Sequence, residues 1–260
     1  MTKLEKLKAD LRGLGELAVA FSGGADSSLL LRAAHDALGE RAIGITIRSP
    51  YMSSREIAEA VEFARTYGIR HEILELGVAE EIKDNPENRC YLCKKAVFSR
   101  LIERARELGF SRVADGTNRD DLGEYRPGLK AKEELGVLSP LINLTKSEIR
   151  ELSRELGLPT AEKPSYACLL TRLPHGREID PHELNLIEAA ENLLIASGYA
   201  NVRARCDRKN IKLQMPFSSM QSFLNDAKFK SVIRQLVALG AADVTLDLKG
   251  LREDVLHERG

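Results

Sequence analysis

The 260-residue chain balances 39 lysines and arginines against 39 aspartates and glutamates, a formal net charge of zero, with 43% hydrophobic and 30% charged residues. That is the composition of a globular protein with an apolar core, and its neutrality argues against broad coating of a nucleic-acid backbone. No apolar run approaches the ~20 residues a membrane helix needs, and the N-terminal residues form no signal-peptide apolar region, so the expectation is a cytoplasmic protein with no membrane contact and no stable nucleic-acid partner.

Leu4, Leu7, Leu11 and Leu14 recur at helical spacing, and the apolar run 17–21 after them reads as a buried strand. Beyond the polar loop 22–26, a helix is expected over 27–38, closed by Gly39, and then a second buried strand over 42–47. Ser53 and Glu56 have the spacing of a capping box for a helix that stops at Gly68, and 69–76 is a third strand. A helix over 90–108 and a short strand over 112–115 follow, then a helix capped by Thr145 and Glu148 that ends at Gly157. Strands alternating with helices in this way predict βαβ units and a parallel sheet. The pattern changes near Lys163. Asp180 and Pro181 open a helix, two strands are expected over 201–206 and 210–215, one long helix over 219–239 and a last strand over 242–248. The sequence therefore predicts an α/β parallel-sheet domain over 1–162 and a small α+β domain over 163–260. The second part carries 14 basic against 12 acidic residues, a difference of +2, so it is not a basic RNA-binding module by charge.

Between the first strand and the next helix lies Ser22-Gly23-Gly24-Ala25-Asp26-Ser27-Ser28. Glycines admit close approach of the backbone to a ligand, and free N–H groups at a positive helix end attract anionic oxygens. A βα turn of small residues could look the same. The loop lacks the Gly-Lys-Ser/Thr of a γ-phosphate-binding loop and the spaced glycines of a dinucleotide fold. What is present resembles the PP-loop of the ATP pyrophosphatases, the adenine nucleotide alpha-hydrolase-like superfamily. That resemblance implies ATP as cosubstrate, with Ser22, Gly23, Gly24, Ser27 and Ser28 on the pyrophosphate, Asp26 helping to hold Mg2+, and Arg48, at the end of the second strand, edging the adenine.

The fourth strand runs into Gly116-Thr117-Asn118-Arg119-Asp120-Asp121, with Arg126-Pro127-Gly128 soon after, and the segment Pro164-Ser165-Tyr166-Ala167-Cys168-Leu169 lies farther on. Taken with the loop at 22–28, these segments resemble the LarE-type sulfur transferases, the pyridinium-3,5-bisthiocarboxylic acid mononucleotide synthases of nickel-pincer cofactor assembly. The resemblance runs from the phosphate loop to Val202-Arg203-Ala204-Arg205 and fades beyond about Gln214. It implies that Gly116, Thr117, Asn118 and Asp121 belong to the nucleotide site, and that Arg126, Arg172, Glu191, Arg203 and Arg205 hold a small nucleotide substrate. It also implies adenylation of a pyridinium dicarboxylate mononucleotide, replacement of carboxylate oxygen by sulfur, a sulfide donor, and a homo-oligomer, in the family a hexamer.

Cys90-x-x-Cys93, expected at a helix start that favours thiolates, could be a redox pair, half of a zinc site or two unrelated thiols. With Cys168 it could instead offer three thiolates to a [4Fe-4S] cluster, and the family resemblance includes members that carry one. Other members take sulfur from a cysteine at the position matching Cys168, which makes Cys168 and Asp26 the catalytic candidates. Cys206 reads as a small buried strand residue. The strongest rival is a tRNA 2-thiolating enzyme, against which stand Ala25, where those enzymes typically carry lysine, and the neutral second domain. Amidating ligases and a non-enzymatic nucleotide sensor share the fold expectation.

Overall fold

The computed structural model describes residues 1–123 and 127–251. Contacts divide the chain into two compact units: Met1–Ile82 with Glu87–Tyr166, and Lys83–Pro86 with the described chain from Ala167 onward. The division thus falls four residues after the expected boundary at 162/163, and it assigns 83–86 to the second unit through bonds to the 174–179 segment. Asn85 Nδ2 donates to Pro174 O at 2.7 Å, and the Ile179 amide donates to Lys83 O at 2.8 Å. No linear reading of composition could place that strap.

The first unit comprises α1 (Lys3–Leu14), β1 (Leu17–Ala20), α2 (Ala25–Leu38), β2 (Ala42–Arg48), α3 (Ser54–Thr66), β3 (His71–Glu75), α4 (Arg89–Glu107), β4 (Val113–Ala114), α5 (Pro127–Glu134) and α6 (Lys146–Glu155). Its strands form one parallel sheet in the order β3-β2-β1-β4. Both faces are covered, which is why β1 reads as an unbroken apolar run. Leu17 and Val19 pack into a cluster with Leu30, Leu31 and Ala34 of α2, whereas Ala18 joins Ile43, Ile45, Leu101 and Phe110 in a separate cluster. A Cβ at Gly44 of β2 would stand 2.8 Å from Leu31 Cδ2, so glycine there lets α2 lie close on the sheet.

Three local expectations change. α2 begins at Ala25, two residues earlier than expected, because Gly24 takes the extended N-cap conformation. Ser53 is the N-cap of α3 but makes no side-chain capping bond, and Glu56 faces Lys163 at 3.5 Å instead. α5 forms in the polar segment after the fourth strand, where the sequence predicts no helix. The box at Thr145 and Glu148 forms with both of its bonds.

The second unit holds α7 (Pro181–Ala196), β5 (Arg203–Asp207), β6 (Asn210–Gln214), α8 (Phe217–Asn225), α9 (Phe229–Ala238) and β7 (Asp243–Leu246). β5 pairs antiparallel with β6, and β6 parallel with β7. The single long helix expected over 219–239 is two helices. Asp226 breaks it, accepting the Lys228 amide at 2.7 Å and the Tyr199 hydroxyl at 2.8 Å, bonds that offer the backbone an alternative to helix. Among the described residues no helix is long and apolar enough to cross a membrane.

Candidate functional site

In the order β3-β2-β1-β4 the chain passes to one side of β1 for β2 and to the other for β4. Such a reversal opens a crevice at the carboxyl ends of β1 and β4, where open α/β sheets bind ligands. The loop leaving β1 occupies one lip. Gly23 has φ +71°, and a Cβ there would lie 3.1 Å from Ala60 Cβ and 3.3 Å from Glu56 O, so α3 packs directly on the loop. Gly24 then caps α2, and the first amides of that helix find no carbonyl acceptor within it. The Ser22 and Ser27 hydroxyls sit 3.0 Å apart, and Ser27 Oγ accepts the Ser22 amide at 3.3 Å. Asp26 Oδ1 and the Oγ of fully buried Ser28 have no hydrogen-bond partner among the described residues.

The loop after β4 forms the other lip and touches the first. A Cβ at Gly116 would lie 2.9 Å from the Ser27 nitrogen and 3.1 Å from the Asp26 carbonyl carbon. Thr117 and Asn118 are buried. Asn118 and Asp121 shape the loop themselves: the Asn118 amide donates to Asp121 Oδ2 at 3.0 Å, and Asn118 Oδ1 accepts the Asp120 amide at 2.9 Å. Arg48 ends β2 in an exposed ion pair with Glu75 at 2.6 Å. Arg126 lies outside the described residues.

Three lysines converge on these loops, of which sequence reasoning missed Lys132 and Lys146 and met Lys163 only as the residue that opens the segment 163–172. Lys146, the first residue of α6, brings its ammonium 2.5 Å from Asp26 Oδ2. Lys163 donates to Gly23 O at 2.9 Å and meets Glu59 at 2.6 Å. Lys132 of α5 is buried and bonds both Asp115 and Thr117. Each comes from a segment remote in sequence from the loop it serves, and no local spacing marks any of them.

Burial works to raise the Asp115 carboxyl, but the Lys132 charge and hydrogen bonds from Lys132, Thr117 and Ser139 outweigh it and hold the group below the usual carboxylate range. Burial also pulls Lys132 down, against the charge of Asp115. The extra donors on Asp115 favour its charged form. Lys132→Met should strand a buried carboxylate and cost about 3–5 kcal/mol in urea unfolding, whereas the double variant with Asp115→Asn should cost less. Because folding depresses the Asp115 pKa, its contribution is present above its unfolded value and lost as pH falls through the folded one. An acid-side stability loss that is unchanged in Asp115→Asn would contradict this.

The second unit gathers five of the residues expected at the site. Cys168 heads a short 3-10 turn (Leu169–Arg172) and is half-buried. Arg172, 2% exposed, makes a bidentate pair with Glu191 at 2.8 and 3.2 Å, and its Nη1 donates to Ala167 O at 3.0 Å and to Thr171 Oγ1 at 2.7 Å. Glu191 Oε1 also accepts the Ala204 amide at 3.0 Å. Arg172 and Glu191, expected to hold substrate, are thus engaged with each other, the Cys168 turn and β5, as residues that position the turn. On β5, Arg203 and Arg205 alternate with buried Ala204 and Cys206 and so share one face. Arg205 Nη1 reaches Thr171 O at 3.1 Å.

Cys90 is exposed near the start of α4, one turn before Cys93. The expectation of a thiolate-favouring helix start is corrected at Cys93. Burial raises its thiol despite the Tyr51 hydroxyl at 3.4 Å and the neighbouring Lys94 charge. Among the described residues no three His, Cys, Asp or Glu side chains are grouped to hold a metal ion. Burial, with Glu183 beside it, pushes the Cys206 thiol up to about 12, in keeping with an inert strand residue.

No protein-family profile matches the chain. An uncharacterised protein of Synechocystis sp. is 37% identical, over 98% of this chain and 97% of its own. The pyridinium-3,5-bisthiocarboxylic acid mononucleotide synthase of Lactiplantibacillus plantarum is 34% identical over 99% of this chain and 94% of its own. A tRNA-specific 2-thiouridylase of Caldanaerobacter subterraneus is 29% identical, over 56% of this chain and 52% of its own.

Proposed function

Since the chain belongs to the family of LarE-type sulfur transferases, the pyridinium-3,5-bisthiocarboxylic acid mononucleotide synthases, we propose that it uses ATP to adenylate a carboxylate of a pyridinium dicarboxylate mononucleotide and exchanges the activated oxygen for sulfur. The observation that carries this reading is the crevice between β1 and β4. There a helix N-terminus, clustered serine hydroxyls and an incompletely bonded Asp26 line one lip, with the Gly116 loop pressed against them. Those groups suit the departing pyrophosphate. Likeness over almost the full chain favours this family over tRNA thiolation, whose representative matches little more than half of it.

Magnesium fits this crevice. The ion is commonly held by one or two carboxylates together with substrate phosphates, and Asp26 Oδ1 is a buried oxygen without a partner. Asp26 would hold it, and its chemistry would be to offset charge that builds on the phosphate oxygens. The serines and the α2 amides orient the phosphates, and the carboxylate oxygen of the second substrate attacks the α-phosphorus in line.

The expected [4Fe-4S] cluster on Cys90, Cys93 and Cys168 is not shown: among the described residues no three His, Cys, Asp or Glu side chains are grouped to hold a metal ion. Cys168 is the sulfur-bearing group under the sacrificial alternative. Its thiolate attacks the adenylated carbonyl and expels AMP. Loss of the Cα proton and cleavage of the Cβ–Sγ bond then leave a thiocarboxylate and dehydroalanine. Arg172 and Glu191 hold the turn that presents it, and Arg203 and Arg205 offer guanidinium groups to the substrate's anionic oxygens.

The test supplies ATP, Mg2+ and the pyridinium dicarboxylate mononucleotide to the purified protein. Pyrophosphate should appear only when all three are present, and a thiocarboxylate should follow. Pyrophosphate release that is indifferent to the dicarboxylate, or the absence of thiocarboxylate, would remove the proposal.

A further inference from the structure

β2 is an apolar strand with one hydroxyl in it: Thr46, 2% exposed, follows Ala42, Ile43, Gly44 and Ile45. A buried hydroxyl is costly unless it is hydrogen-bonded, and valine would fill the same space without that cost. Thr46 has two partners. Its Oγ1 donates to Phe21 O at 2.7 Å, and His71 Nε2 lies 2.8 Å from the same hydroxyl oxygen. A threonine hydroxyl has a single proton and a carbonyl can only accept, so the imidazole is the donor and carries its proton on Nε2. The strand register gives the ring its room. His71 of β3 pairs with Gly44 of β2, where a Cβ would lie 3.4 Å from His71 Cδ2, and the ring packs edge-on to Phe21 with centroids 5.8 Å apart. Burial lowers the pKa of the imidazole against the charge of Glu72, which favours its neutral form.

The carbonyl at the end of this relay belongs to the peptide that joins Phe21 to Ser22, where β1 gives way to the phosphate loop. The N–H of that peptide is held too, because the Ser22 amide donates to Ser27 Oγ at 3.3 Å. A peptide unit is planar, so bonds at both ends fix the direction in which the chain enters the loop. Gly23, just beyond, has φ +71° and little restraint of its own.

We propose that His71 and Thr46 are positioning residues for the phosphate loop: the His71 Nε2–H holds the Thr46 hydroxyl, the hydroxyl proton holds Phe21 O, and the Phe21–Ser22 peptide so fixed sets the course of the loop. The inference rests on the nucleotide reading of the site and deepens it. Both side chains act through the backbone that leads to Ser22 rather than on the nucleotide itself. A polar relay in an otherwise aliphatic strand thereby serves the one peptide from which the loop departs.

Binding of ATP with magnesium, measured by calorimetry, separates this role from packing. The proteins compared are wild type, Thr46→Val, Thr46→Ser and His71→Phe, with thermal unfolding to show that each is folded at the temperature used. Thr46→Val keeps the volume and loses both bonds, whereas Thr46→Ser keeps the hydroxyl and leaves a methyl-sized void. If the residue only fills space, affinity follows volume, so that valine binds ATP like wild type and serine binds it less well. The positioning role reverses that order. Thr46→Ser should keep most of the affinity, and Thr46→Val should weaken it about tenfold, as expected when one hydrogen bond is lost and its buried partners are left unpaired. His71→Phe, which keeps a ring against Phe21 without the donor, should weaken binding in the same direction. NMR of the imidazole nitrogens, with the His71 signal assigned by its loss in His71→Phe, should find the proton on Nε2. Wild-type affinity in Thr46→Val, or a His71 proton on Nδ1, overturns the proposal. A wild type that binds no ATP removes the nucleotide reading itself, and this role with it, which neither of those results would do.

Discussion

Asp26→Asn should lower magnesium-dependent pyrophosphate release by at least about 100-fold while leaving the protein folded. The asymmetry follows from the surroundings of the side chain. Its side chain makes a partly exposed ion pair with Lys146, the partners being 25% and 30% exposed, and such pairs stabilise a fold by roughly 0–1 kcal/mol. Its position in the first turn of α2 adds a favourable helix-end charge of about 0.3–1 kcal/mol. Neither loss threatens a domain whose sheet is buried on both faces. The chemical loss is larger because asparagine keeps the shape but removes the charge that would hold a divalent cation as pyrophosphate departs. The check is a pyrophosphate-release assay across a magnesium titration, paired with an unfolding curve. Release that keeps its wild-type magnesium dependence would exclude Asp26 from the metal site, and a collapsed unfolding transition would show that the residue is structural.

Cys168→Ala should abolish formation of thiocarboxylate and leave adenylation intact, because the adenylating groups belong to the first unit and Cys168 to the second. The substitution should fold. The side chain is half-buried, and the turn it heads is held by backbone bonds and by Arg172, whose Nη1 reaches the Ala167 carbonyl at 3.0 Å. Intact-mass measurement of the wild-type chain after one turnover identifies the sulfur source. A chain lighter by one hydrogen sulfide, with dehydroalanine at position 168, marks the sacrificial route; an unchanged chain that turns over repeatedly on supplied sulfide marks an external donor. Substrate-dependent pyrophosphate release from Cys168→Ala should match wild type. Cys206→Ala makes a sharp contrast and should be silent in both assays, because that thiol is buried and held fully protonated.

The sequence by itself determined what depends on neighbours along the chain. The apolar run 17–20 forms a strand because a sheet covered on both faces needs no polar alternation, and β1 is that strand. Gly23 and Gly24 marked the turn from β1 into α2, because glycine admits the positive φ that Gly23 adopts, and Thr145 with Glu148 marked the start of α6 because the capping box is a local bond pattern. Arg203 and Arg205 share a face because strand periodicity is two. Tertiary structure decided the rest. Only the strand order puts the Gly116 loop against Ser27, and only helix packing delivers Lys146 to Asp26 and Lys132 to Asp115 across long stretches of chain. The thiol of Cys93 goes against its helix-start expectation because burial, which no spacing reveals, outweighs the Tyr51 hydrogen bond and the Lys94 charge. Arg172 and Glu191, which the resemblance marks as substrate residues, pair with each other in the fold. A charge of that kind is costly to bury alone, and what it finally pairs with is set by the residues that packing brings within reach.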